Sequence, residues 1–232
     1  MFSNLIQMHL TTLTLGAQAH NKLNATMIDE IVVAMQAHDW TCNVCGVRLP
    51  EMMEVDHLKG HNPSAKEALA PICQFCHDRK HMLWAASRKR LSLIHAPDLT
   101  YEEISQISWA LIANQGREGF DIDEKKLRRD LAGRQEDAFD AVGHHNLEAI
   151  FEAAYALLDA KGEEAALDRL QAMDSHIKIA PAALFMETPV IGGWSSGGFR
   201  SIDEDWAEKT TPANFPGYTA LRSAGDSLKA RL

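Results

Sequence analysis

Two Cys-x-x-Cys pairs constrain this chain more than any other feature: Cys42-Asn-Val-Cys45 and Cys73-Gln-Phe-Cys76, with 27 residues between them. A Cys-x-x-Cys turn presents two thiolates from a tight knuckle, and two such turns complete the tetrahedral set that zinc prefers. Gly46, directly after the first pair, suits the tight backbone of a knuckle. All 4 cysteines of the chain are used, with none left over. A redox reading needs a thioredoxin-type strand and helix around one pair and leaves the second pair without a purpose. The sequence therefore predicts one structural zinc on Cys42, Cys45, Cys73 and Cys76. Such an ion is a scaffold, because four thiolates leave no coordination position open for chemistry. Its binding stabilises small peptides by roughly 10–16 kcal/mol.

With 232 residues, 46% of them hydrophobic, the chain has enough apolar area for one generous domain, or for a compact domain with a helical appendage. No apolar run approaches the roughly 18 residues of a membrane span, so no membrane insertion is expected. Met1 to Leu15 is moderately apolar but has no basic leader and no small-residue cleavage site, which predicts a cytoplasmic protein. A net charge of −9 argues against a general nucleic-acid coat, which needs clustered Lys and Arg. One stretch differs: between His77 and His95, Arg79, Lys80, Arg88, Lys89 and Arg90 face a single acid, Asp78. That stretch reads equally as a phosphate-facing patch or as a solvated helix face.

Patterning divides the chain into an N-terminal strand and helix (1–38), a knuckle module (39–98), a helical region (99–188) and a linker with a loosely packed tail (189–232). Leu13 and Leu15 alternate with threonines as in a short strand, and Thr26 caps a helix bearing Ile28, Ile31, Val32 and Met35. The motif region is broken by Gly46, Pro50, Gly60 and Asn62-Pro63. A helix is predicted from His77 to about Ser87, followed by a strand over Leu91–Ile94. Thr100 and Glu103 form a capping box ahead of a helix with Ile104, Ile107 and Leu111 on one face. Further helices are predicted at about 123–141, 146–160 and 163–173. Leu147, Ile150, Phe151, Ala154, Leu157 and Leu158 give the second of these a broad apolar stripe suited to burial. The run from Ile191 to Gly198, with Trp194 among glycines and serines, reads as a flexible linker.

Between the knuckles stand Glu54-Val-Asp56-His57-Leu58, a Gly/Asn/Pro loop, and then Ala68-Leu69 leading to Cys73-Gln-Phe-Cys76-His77. Over about residues 40–82 this resembles the HNH nuclease signature set in a four-cysteine zinc ribbon. The resemblance implies an α+β fold, an HNH-like ββα-metal finger followed by a mostly helical region. It implies Asp56 and His77 as ligands of a catalytic Mg, Mn or Ni ion and His57 as the general base of phosphodiester hydrolysis on DNA. His81, four residues after His77, is a further candidate ligand, as in colicin-type members. The signature asparagine is replaced by Ala68, which can neither bind metal nor brace the loop, so the endonuclease site is degenerate.

A longer resemblance joins Asp39-Trp-Thr-Cys42-Asn-Val-Cys45-Gly46, Leu93-Ile-His-Ala-Pro97-Asp-Leu99-Thr100-Tyr-Glu-Glu103 and Ile177-Lys-Ile-Ala-Pro181. In this wider arrangement the chain is similar to the IcmJ/DotN family of type IVB secretion and conjugation systems. That similarity implies a zinc-stabilised adaptor bound to the cytoplasmic tail of the coupling ATPase, alongside other secretion components. It also implies a cytoplasmic protein recruited to the inner-membrane secretion complex.

Overall fold

A computed structural model describes residues 25–49, 53–57, 69–113, 124–143, 147–185, 190–192 and 199–201. The first helix among the described residues, α1 (Ala25–Ala37), ends where Asp39 and Trp40 take positive φ and turn the chain into the first knuckle. Leu49 N–H donates to the Trp40 carbonyl at 3.0 Å, and Thr41 bridges Arg48, so the knuckle closes as a small antiparallel loop. β1 (Glu54–His57) and β2 (Leu69–Ile72) pair antiparallel, with Glu54 opposite Ile72 and Asp56 opposite Ala70. β2 runs directly into Cys73 and α2 (Gln74–Lys80), giving a strand–strand–helix unit with a cysteine at the joint.

The helix predicted from His77 to Ser87 begins earlier, at Gln74, and breaks at His81 into α2 and α3 (Met82–Ser87). His81 leaves helical geometry, at φ −108° and ψ 51°. Packing accounts for the break: Phe75 and Cys76 of α2 face a small core around the cysteines, whereas Met82 and Ala85 of α3 enter the main core. A straight helix cannot serve both cores.

The main core is built on β3 (Leu91–His95), which pairs antiparallel with β4 (Ile177–Pro181). Leu91 to Ile94 are all buried, so β3 shows no alternation of apolar and polar positions. Its one buried hydroxyl, Ser92, accepts a 2.7 Å hydrogen bond from Gln135. Around this pair lie α4 (Tyr101–Ala113), α5 (Glu124–Val142), α6 (Leu147–Lys161) and α7 (Glu163–Asp174). The capping box forms: Thr100 N–H donates to Glu103 at 2.8 Å, and Glu103 N–H to the Thr100 hydroxyl at 3.1 Å. Ile104, Ile107 and Leu111 of α4, with Leu147, Ile150 and Phe151 of α6, bury in the main core. α5 is fastened by Arg134, whose guanidinium grips both Asp98 oxygens at 2.6 and 2.8 Å.

The linker read over Ile191–Gly198 is corrected at its ends. β5 (Val190–Gly192) pairs antiparallel with β6 (Phe199–Ser201), because Val190, Ile191 and Phe199 are strand-forming residues flanking a glycine- and serine-rich connection. The strand over Leu13 and Leu15, the inter-knuckle loop with Ala68, Trp194 and the end of the tail lie outside the described residues.

The basic stretch is neither a phosphate-facing patch nor a solvated face throughout. Arg79 and Arg90 are buried, and Arg90 pairs with buried Asp78 at 3.0 Å. Burial pushes the Asp78 carboxyl up to about 8, although Arg90 and a hydrogen bond from Gln74 pull it down. A carboxyl raised that far is largely protonated at neutral pH and serves Arg90 as a hydrogen-bond partner, so Asp78→Ala should lose about 1–3 kcal/mol in chemical denaturation. The raised value means that the native state holds this proton more tightly than the unfolded chain does. Stability from Asp78 therefore falls as pH rises from about 4 to about 8. Asp78→Asn should show a flatter stability–pH curve than the parent over that interval.

Candidate metal centre

The first knuckle takes its shape from local hydrogen bonds. Cys42 N–H donates to the Val47 carbonyl at 2.8 Å and Gly46 N–H to the Cys42 carbonyl at 2.9 Å, while Gly46 adopts φ +72°. That conformation favours glycine and accounts for its place after the pair. The second knuckle is a strand end passing into α2, and Asn43 N–H ties the two together by donating to the Pro71 carbonyl at 2.9 Å. The four sulfurs converge as a result: one ligand atom from each cysteine lies within 4.8 Å of the others, and all four residues are buried. None is in a disulfide.

Spacing and chemistry both fit a metal ion. A tetrahedral site with metal–sulfur bonds of about 2.3 Å has sulfur–sulfur edges of about 3.8 Å, and Cys45 Sγ lies 3.6 Å from Cys73 Sγ. Backbone N–H groups of Cys45 and Cys73 point at Cys42 Sγ from 3.5 and 3.3 Å. The Cys42 thiol is held far below its usual range, by hydrogen bonds from the Cys45, Cys73 and Cys76 thiols. Cys45 is pushed up, first by its hydrogen bond with Cys42, and Cys73 is pushed well up by burial. Ionising one sulfur thus penalises the next, and only a cation at the centre lets all four act as thiolates. The cluster can hold a metal ion such as zinc.

Its surroundings come largely from α4, a helix remote in sequence. Ser105 Oγ lies 3.4 Å from Cys76 Sγ, Gln106 donates to the Cys45 carbonyl at 2.7 Å, and Trp109 stacks on Phe75 with centroids 4.2 Å apart. Arg79 donates to the Tyr101 carbonyl at 2.9 Å, and its other terminal nitrogen reaches 4.0 Å from Cys76 Sγ. A buried guanidinium at that distance offsets the negative charge that four thiolates keep after binding a divalent ion.

A second group lies beside the first. Asp56 from β1, His77 from α2 and His81 at the helix break offer ligand atoms within 4.8 Å of one another. The His77 and His81 rings meet edge to face, with centroids 4.9 Å apart. His57 occupies β1 opposite Leu69, and its side chain lies outside the described residues. Two members of this group were not legible as site residues. Glu54 meets His77 Nδ1 at 2.7 Å, and Lys80 pairs with Asp56 Oδ2. Glu54 had a signal: it stands two residues before Asp56 in a strand, hence on the same face. Lys80 had none beyond its place in the basic stretch.

Chelation under denaturing conditions should release one equivalent of metal per chain, and elemental analysis should identify it as zinc. Cys73→Ser should lose the metal and the near-ultraviolet signal of the packed Phe75–Trp109 pair. Retention of a full equivalent in that variant would count against the four-sulfur site. No family model matches this chain, and the search of curated proteins found no match.

Proposed function

We propose that this chain is a zinc-stabilised, HNH-fold adaptor of a type IVB secretion or conjugation coupling complex, and that it binds the cytoplasmic tail of the coupling ATPase. The observation that carries the reading is the buried four-cysteine cluster braced by α4. With zinc bound it has no open coordination position, so it organises a surface and catalyses nothing. The strand–strand–helix order around Cys73 supports the HNH-like finger. Two of the stretches that carry the wider resemblance meet in one sheet, Leu93–His95 of β3 pairing with Ile177–Ile179 of β4. The helices after residue 100 supply surface that a minimal nuclease finger does not need. Among the described residues no helix is long and apolar enough to cross a membrane.

A second reading, a metal-dependent endonuclease, is favoured by the convergence of Asp56, His77 and His81. In it these residues hold a Mg, Mn or Ni ion that stabilises the leaving oxygen, and His57 takes the proton of the attacking water. The ion pair of Lys80 with Asp56 and the alanine at position 68 place it second.

Pull-down of the full chain with the isolated coupling-ATPase tail decides the first reading: we expect a stoichiometric complex, and a monomer that never engages the tail overturns it. Plasmid nicking with Mg²⁺, Mn²⁺ or Ni²⁺ decides the second. The adaptor reading expects intact supercoiled DNA, whereas nicking that disappears in His57→Ala with zinc retained would establish the nuclease.

A further inference from the structure

Asp56 is 5% exposed, and of its two carboxylate oxygens Oδ1 has no hydrogen-bond partner among the described residues, while Oδ2 is held by Lys80. A buried carboxylate requires a compensating positive charge. Two imidazoles border the same space, and neutral imidazole with carboxylate is a donor set for transition-metal cations. Glu54 on His77 Nδ1 is the arrangement that fixes the ring and its tautomer, placing the proton on Nδ1 and the lone pair on Nε2. Both the donor set and its bracing are therefore present, with an ammonium group on the carboxylate. Lys80 is suited to leave: its side chain keeps a quarter of its surface exposed, at the C-terminal end of α2, on a flexible stem.

We propose that Lys80 is a built-in competitor for a second divalent-cation site formed by Asp56, His77 and His81, with Glu54 as the positioning residue of His77. One cation at a time satisfies Asp56. With the ammonium in place the carboxylate is neutralised and the site rejects metal. When the stem swings outward, the two imidazoles and the carboxylate close on a divalent ion. Apparent metal affinity is thus reduced by the fraction of chains in which Lys80 occupies the carboxylate. The inference rests on the same three ligands as the endonuclease reading, but it concerns binding and requires no cleavage.

The test is Ni²⁺ binding to the full-length, zinc-loaded chain by isothermal titration, with elemental analysis of both metals after desalting. Lys80→Ala, and Lys80→Gln as a variant that keeps the stem, should bind one Ni²⁺ at least about tenfold more tightly than the parent, with zinc content unchanged. Adding Asp56→Asn should abolish that gain, and Glu54→Gln in the Lys80→Ala background should weaken it. Equal Ni²⁺ affinity in the parent and both Lys80 variants, or no nickel beyond the zinc equivalent in any of them, overturns the proposal. A gain in nickel with no DNA nicking removes the endonuclease reading and leaves the competitor in place.

Discussion

Four thiols packed into one buried cluster are an unfavourable arrangement until a cation joins them, and much of the N-terminal architecture depends on that condition. The knuckle turn at Gly46, the passage of β2 into Cys73 and the placement of α2 all serve to bring the sulfurs together. The surrounding apolar cluster is small, comprising Val47, Leu49, Ile72, Phe75, Trp109 and Ala183 besides the cysteines. Such a core gains only a few kcal/mol from burial net of chain entropy, and a metal ion held by the four sulfurs would add to it.

α4 connects this metal core with the rest of the molecule. Its Ile104, Ile107 and Leu111 face the main core, while Ser105, Gln106 and Trp109 face the cysteines. Arg79 runs between the two, stacked over the Tyr101 ring and close to Cys76 Sγ. Charge that the sequence presents as a basic run is thereby spent internally, on a carbonyl, a sulfur and the carboxylates of Asp56 and Asp78. Two of the five basic residues, Arg79 and Arg90, are thereby removed from the surface.

What the sequence makes legible follows from the range of the interactions. The cysteine pairs, the Thr100–Glu103 cap and the apolar stripes of α4 and α6 are local patterns, and each has a structural counterpart. The break at His81 is invisible to periodicity, because two different cores, and no local signal, impose it. β4 escaped for a similar reason: Ile177–Pro181 is a strand because distant Leu91–His95 supplies its partner. Lys80 and Arg79 look like surface charges until the fold places Asp56 and Cys76 beside them. Local spacing thus finds the residues that cluster, and it fails for the groups that brace or oppose them.

The pairing of β3 with β4 also sets an order of events during synthesis. Ala183, just beyond β4, packs into the cysteine core, although the last cysteine precedes it by more than a hundred residues. Closing so long a loop slows the final docking relative to the local knuckle turns. In the nascent chain all four cysteines therefore emerge well before Ala183, the residue that later joins their cluster, has left the ribosome.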